Sequence, residues 1–311
     1  MNINATISKG REHWTTVNGQ KLFLWQKPRT GEPARGTILF VHGSSMASTP
    51  GFDLQAPGYV SAMDFFAAQG FDCWCCDHRG YGRSYKGPEF LATIAEGADD
   101  LAAASQYIMS QPGSASAQLH VYGISSGALR AALFAERHPE RVKRLALDAF
   151  VWTGKDSPTL EQRRKKLPEW KASTRRPINR AFLDSIHRRD GVYTTNPALA
   201  EPYAQAVLAL DDSIPNGTYI DMCENLPVND PTKITVPTII MRGQYDGIAA
   251  FADIVAFFSR LPNADKEFAV MPDIAHGSFT QMNYMRAYHV LLSFFTRPEP
   301  VHREKAPPGQ H

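Results

Sequence analysis

A serine hydroxyl becomes a useful nucleophile only when a base removes its proton and a carboxylate orients that base. Gly123-Ile124-Ser125-Ser126-Gly127 offers such a serine in a setting suited to attack. The apolar run Leu119 to Tyr122 precedes it, and a helical run, Ala128 to Arg137, follows. G-x-S-x-G between a strand and a helix is the nucleophile elbow, a turn so tight that the serine takes a strained backbone. Glycines on both sides keep Cβ atoms away from the crossing chain. The helix N-terminus favours negative charge developing nearby. Without that context the five letters read as a Gly/Ser turn capping a helix.

The base expected is His276, in Met271-Pro-Asp-Ile-Ala-His276-Gly277, between the last predicted strand and the last helix. His289 falls inside that helix, His302 and His311 in the tail, and His187 in an insertion. The acid expected is Asp246, in Met241-Arg-Gly-Gln-Tyr-Asp246-Gly247, just past a strand end. Asp-Gly is also a common turn pair, and Asp148, at the end of the strand before the insertion, is the rival acid. Asp273 is assigned to fixing the histidine loop. Acyl transfer also needs two N–H donors for the oxyanion. Ser126, after the nucleophile, supplies one. Ser44 supplies the other, with Ser45 the alternative, from the loop His42-Gly43-Ser44-Ser45-Met46. The turn Asp77 to Ser84 reads as a structural brace for these loops.

Regular elements must bring these distant residues together. His13 to Gln26 reads as a hairpin about Asn18-Gly19. Thr37 to Val41 is a short apolar run, as in a strand buried on both faces. Further strands are expected at 71–76, 119–122, 142–147, 238–241 and 267–271. Helices are expected at about 60–69, 92–110, 128–137, 249–260 and 279–295. That alternation predicts an α/β fold with a mostly parallel, doubly wound sheet covered on both faces. Ligands and catalytic groups gather beyond the carboxyl ends of such strands, and every candidate above falls at one. Between Phe150 and Asp230 the rhythm changes to helical, charged and aromatic segments. The division expected is therefore a core in two parts, 1–149 and 233–296, a helical insertion at 150–232, and a disordered tail at 297–311, rich in proline and charge.

At 311 residues the chain can bury a large core. A formal net charge of +2 gives no sign of a nucleic-acid partner. No apolar run is long enough to span a bilayer, and MNINATISKGREHW has no apolar secretory stretch, so a cytoplasmic location is expected. Cys73, Cys75, Cys76 and Cys223 lack the paired spacing of a zinc site. They read as small buried hydrophobes.

Together these residues resemble the α/β-hydrolase family. The likeness runs from Trp14 to about Phe295, apart from the insertion. Its parts are the H-G loop at His42-Gly43, the D-H-R-G-x-G-R-S turn at Asp77 to Ser84, the elbow at Ser125, the R-G-x-x-D loop at Asp246 and the H-G loop at His276-Gly277. The resemblance implies a catalytic triad of Ser125, Asp246 and His276, the trio chosen above. It also implies that the insertion is a cap placed after the sixth strand, where substrate choice is set. Dehalogenases and epoxide hydrolases carry aspartate where this chain has Ser125. Proline iminopeptidases carry H-G-G-P-G and ring-fission C–C hydrolases H-G-x-G-P, both absent here. Haloperoxidases without cofactor and perhydrolases are usually smaller. Ester hydrolysis, with no metal and no organic cofactor, survives these eliminations.

The cap divides by charge. Residues 155–190 hold eleven Lys/Arg and five Asp/Glu, whereas residues 191–230 hold six Asp/Glu and no Lys/Arg. One reading is two solvated faces that pair with each other. The other is an arginine clamp on a substrate carboxylate, from Arg163, Arg164, Arg175, Arg176 or Arg180. Ser45, Met46, Trp152, Trp170, Tyr193 and Tyr245 are further candidates for the substrate wall. Such traits look somewhat like bacterial hydrolases that cleave monoalkyl phthalates to phthalate and an alcohol. The alternatives are an esterase similar to monoacylglycerol lipase and a catalytically inactive, ligand-binding homologue. The partner expected is a small-molecule ester, with no nucleic acid and no membrane insertion; self-association is left open.

Overall fold

The computed structural model describes residues 8–111, 117–188, 190 and 194–299. The chain enters through a hairpin of β1 (Arg11–Val17) and β2 (Gln20–Lys27). Asn18 and Gly19 both take positive φ, 51° and 78°, the demand of a two-residue type I′ turn. Next come β3 (Gly36–Val41), α1 (Ser48–Phe52), α2 (Ala62–Ala68) and β4 (Phe71–Asp77). They are followed by α3 (Ile94–Met109), β5 (Leu119–Ile124), α4 (Ser126–Arg137) and β6 (Val142–Asp148). The insertion holds α5 (Pro158–Arg164), α6 (Leu167–Lys171), β7 (Arg175–Pro177), α7 (Arg180–Arg188), α8 (Ala200–Leu208), β8 (Ser213–Pro215) and α9 (Gly217–Ile220). The chain then returns through β9 (Thr238–Gly243), α10 (Phe251–Arg260), β10 (Lys266–Met271) and α11 (Tyr284–Thr296).

Eight strands form one sheet in the order β1-β2-β4-β3-β5-β6-β9-β10. The first three are joined antiparallel and the rest are parallel. Side chains alternate between two apolar layers, as the pleat requires. Leu39, Val41, Trp74, Cys76, Val121 and Leu147 face α3, α4 and α10, while Ile38, Phe40, Cys73, Cys75, Tyr122 and Met241 face α2 and α11. The strand cysteines thus serve both layers. All four cysteines are free and buried, and burial pushes their thiols up. Among the described residues no helix is long and apolar enough to cross a membrane.

Three expectations need correction. The insertion is not helical throughout, because β7 and β8 pair antiparallel from Arg175–Pro215 to Pro177–Ser213. Each is three residues long and carries a proline, so neither shows a strand pattern in sequence. The last helix starts at Tyr284 rather than near Phe279. Thr280 O accepts the Asn196 N–H (3.0 Å) and the Met282 N–H donates to Thr194 O (2.8 Å), so this backbone is committed to the insertion. The tail is ordered at its start. Arg297 pairs with Asp265 and Glu267, and Glu299 lies 3.7 Å from Arg144. Residues 300–311, with His302 and His311, lie outside the described residues.

α4 lies across the end of β3 at Gly127. A Cβ there would meet Val41 O at 2.3 Å and His42 O at 2.6 Å, both backbone atoms that cannot swing away. Gly127→Ala is therefore expected to destabilise the protein by about 2 kcal/mol, read as a lower urea midpoint. An unchanged midpoint would mean that this crossing is not as close as described.

Candidate active site

Ser125 joins β5 to α4 with φ 58° and ψ −126°, a conformation that side-chain-bearing residues rarely hold. The flanking glycines permit it: a Cβ on Gly123 would lie 2.4 Å from Gly127 O. The Ser125 N–H donates to Asp148 O at 2.9 Å, fastening the turn to β6. Ser126 opens α4, so its N–H has no intrahelical acceptor. The Ser126 hydroxyl is buried with no partner among the described residues.

On the other side of the elbow runs the loop after β3. A Cβ on Gly43 would sit 3.9 Å from Ser125 Oγ, which places this backbone against the hydroxyl. His42 holds the loop in shape. Its Nε2 accepts the His78 N–H (3.0 Å) and its Nδ1 meets Gly43 O (2.7 Å). Burial, His78 and Arg130 together keep its pKa well below the ordinary imidazole value, so the ring is neutral. The Tyr81 hydroxyl donates to Ser44 O (3.3 Å). Asp77 accepts the N–H groups of Ser48 (2.9 Å) and Arg83 (3.0 Å), and Asp100 ties Arg79 through its Nε (2.6 Å). The turn after β4 therefore braces the loop that carries Ser44.

His276 and Asp246 come from the loops after β10 and β9. Nδ1 of His276 lies 3.1 Å from each carboxylate oxygen of Asp246. Asp246 Oδ1 also accepts the N–H groups of Ile248 (2.8 Å) and Ala249 (3.2 Å), which delays the start of α10 to Phe251. Burial pushes the Asp246 pKa up. The charge and hydrogen bond of His276 and the two amides outweigh it and hold the carboxyl at about 2. The His276 N–H donates to Asp190 Oδ2 at 3.3 Å. Ligand atoms of Asp190, Asp246 and His276 lie within 4.8 Å of one another, a spacing that could hold a cation. Nδ1 of His276 and the Asp246 carboxylate are, however, already committed to each other and to backbone amides.

Ser125 and His276 line one cavity of about 760 Å³, counting its mouth, together with Ser44, Ser45, Met46 and Arg163. Phe52, Ile124, Ile186 and Phe279 make much of its wall apolar, and His187 and Tyr203 complete the side formed by the insertion. An oriented imidazole and a strained serine at one cavity, beside a helix N-terminus, can perform nucleophilic acyl transfer.

Other candidates sit elsewhere. Trp152 is not on the cavity wall. It is buried beside Phe257, its Nε1 donates to Asn229 O (3.1 Å), and Asp253 binds the backbone N–H of residues 152–154. Arg164 turns away to Cys223 O (3.2 Å). Tyr245 is half-exposed and reaches Asp273 (3.4 Å). Trp170 packs edge-on against Tyr219, with centroids 4.9 Å apart. Arg175 binds the carbonyls of Gly80 and Ser213, Arg176 binds Pro215 O, and Arg180 pairs with Asp184 and Glu201. Tyr193 lies outside the described residues. The rival acid Asp148 does not bond His276; it accepts the hydroxyls of Tyr122 (2.7 Å) and Ser278 (3.0 Å).

Sequence reasoning passed over Asp190, Tyr203 and Arg130 and set His187 aside as a residue of the insertion; Asp190, His187 and Tyr203 carry no motif. Arg130 has a signal, as a cation flanked by the small and apolar residues Ala128, Leu129, Ala131 and Ala132 of α4. It is fully buried and joins Thr218 Oγ1 (2.7 Å) and Ala92 O (3.2 Å) behind the elbow.

The family profile described as serine aminopeptidase, S33, matches residues 32–282. No curated protein matches the chain. Among solved structures, the enol-lactonase from Burkholderia xenovorans LB400 is 19% identical, with TM-score 0.66, over 91% of this chain and all of that one. An esterase from Thermogutta terrifontis is 21% identical (TM-score 0.65; 92% and 98% covered). The esterase EaEST from Exiguobacterium antarcticum is 18% identical (TM-score 0.67; 92% and 99% covered). At such identities these likenesses establish the fold, which is the α/β-hydrolase fold expected from the sequence.

Asp148 gives the site a pH signature. Burial, with the nearby Asp246 charge, raises its pKa to about 6 against the hydrogen bonds from Tyr122 and Ser278. The folded state then binds more protons than the unfolded one between about pH 4 and 6, so stability falls as pH rises through that window. Asp148→Asn removes this titration at constant size. Relative to the native protein, the variant is expected to gain about 2 kcal/mol between pH 4.5 and pH 7.5 in denaturant titrations. A difference independent of pH would contradict the raised carboxyl.

Proposed function

We propose that this chain, which belongs to the serine aminopeptidase S33 family of α/β-hydrolases and is a hydrolase, cleaves carboxylic esters through an acyl-enzyme. Ser125 attacks the ester carbonyl while His276 takes its proton and passes it to the leaving alcohol. Asp246 holds the imidazole by Nδ1 and stabilises its cation. The amides of Ser44 and Ser126 receive the oxyanion. Water, activated by His276, then releases the acid. The observation that carries this reading is the 3.1 Å contact of His276 Nδ1 with Asp246, in an imidazole that shares a cavity with Ser125.

The substrate proposed is a small half-ester that keeps one free carboxylate, such as a monoalkyl phthalate cleaved to phthalate and an alcohol. Among the described residues Arg163 is the one Lys or Arg on the cavity wall, and no Asp or Glu lies there. A guanidinium on that wall favours an anionic group. A peptide amino terminus would need an anionic partner for its ammonium, which counts against aminopeptidase action.

Replacing Ser125 with alanine is expected to lower hydrolysis of p-nitrophenyl butyrate by about a thousand-fold or more; full activity would overturn the mechanism. Native protein is expected to turn over monobutyl phthalate faster than dibutyl phthalate. The reverse order would exclude the half-ester reading and leave the ester mechanism standing.

A further inference from the structure

An imidazole that takes the Ser125 proton and hands it on needs its main chain fixed as well as its ring, because small misplacements of a base are costly in rate. Asp246 fixes the ring through Nδ1. The main chain of His276 lies between β10 and α11, outside both, so no strand or helix ladder holds it. Its peptide groups must find partners elsewhere, and side chains supply them. The His276 N–H donates to Asp190 Oδ2 at 3.3 Å. The Ala275 N–H donates to Gln281 Oε1 (3.3 Å), and Gln281 Nε2 donates to the His276 carbonyl (3.4 Å). The buried side-chain amide of Gln281 thus lies along Ala275 and His276 as a neighbouring strand would, with one acceptor and one donor.

Both grips lead to the insertion. Asp190 belongs to it, just past α7. A Cβ on Gly247 would lie 2.8 Å from Asp190 Oδ1, so this carboxylate is wedged between the loop of His276 and the loop of Asp246. Gln281 pairs antiparallel with Thr195 of the insertion. On either side of that bridge the Asn196 N–H donates to Thr280 O (3.0 Å) and the Met282 N–H to Thr194 O (2.8 Å). The Thr195 hydroxyl in turn donates to His187 O (2.7 Å), which ties the bridge back to α7.

We propose that Asp190 and Gln281 are positioning residues for the reaction: through them the insertion holds the main chain of His276, as Asp246 holds its ring. The inference rests on the acyl-enzyme reading above and extends it from the triad to the insertion. Among the described residues that line the cavity neither occurs, so both act through His276 and not on substrate binding. His276 is the base in forming and in hydrolysing the acyl-enzyme. Its misplacement slows the two steps alike, which lowers kcat and leaves KM where it was.

The experiment compares native protein with Asp190→Ala, Asp190→Asn and Gln281→Met. It reads kcat and KM on p-nitrophenyl butyrate, the rate at which a neutral fluorophosphonate labels Ser125, and the urea midpoint. Asp190→Ala removes the acceptor and is expected to lower kcat and the labelling rate by about ten-fold or more, with KM within about two-fold of native. Gln281→Met keeps the length of the side chain, loses both hydrogen bonds and is expected to show the same split. Asp190→Asn keeps an oxygen for the His276 N–H at constant size and is expected to stay within about three-fold of native. Unchanged kinetics in Asp190→Ala or Gln281→Met, a raised KM at native kcat, or an Asp190→Asn as slow as Asp190→Ala would overturn the proposal. If the urea midpoint shows Gln281→Met to be unfolded, the contrast between the two Asp190 variants decides. Native protein that labels at Ser125 but leaves the ester intact would remove the ester reading alone, and the labelling rates of the variants would still judge Asp190 and Gln281.

Discussion

The site depends on one strained residue. Ser125 holds φ 58° only because the chain around it leaves no alternative. Gly123 and Gly127 let α4 close over β5 and β3, and Asp148 O captures the Ser125 N–H. The sheet supplies the force for this. β5 lies between β3 and β6 in the buried middle of eight strands, so relaxing the turn would pull α4 off the apolar layer that it shares with α3 and α10. Strain of this kind persists where packing over-determines the backbone, and here it leaves a serine on the wall of a cavity.

The loops that complete the site are fastened mostly by buried polar contacts. Asp148 is a hinge point, since its carbonyl holds the elbow and its carboxyl holds Ser278, two residues past His276. The insertion is knitted into the same framework. Asp211 accepts the Gly82 N–H and pairs with Lys86, Arg175 reaches Gly80 O, and Arg130 reaches Thr218 from beneath the elbow. The segment carrying Thr194 and Asn196 adds backbone bonds to residues 280 and 282, close to His276. Movement of the insertion would therefore disturb the histidine loop, and the two form one mechanical unit.

The uneven charge of the insertion resolves along the same lines. Several of its cations are spent within it or on the core: Lys171 on Glu224, Arg180 on Asp184 and Glu201, Arg175 and Arg176 on carbonyls. Arg163 and Arg176 both lie over the Tyr219 ring, at 4.3 and 3.6 Å, an arrangement in which the ring face favours the charged guanidinium. Arg163 thereby reaches the cavity wall as a cation.

Local pattern determined much of this protein. Apolar runs, Asn18-Gly19 and the glycines of the elbow fixed the strands, the hairpin and the strained serine, because these depend on neighbours within a few residues. The places of Ser125, Asp246 and His276 were legible for the same reason, since each lies within a few residues after a recognisable strand. Tertiary structure decided the rest. Trp152, Arg164 and Tyr245 have the right chemistry for a substrate wall, but which way a side chain on a short helix or loop points depends on what packs behind it. Asp253, Cys223 and Asp273 turned those three away. His187, Tyr203 and Asp190 entered the site because folding the insertion over the sheet brought them there, through contacts between residues far apart in the chain that no local spacing encodes.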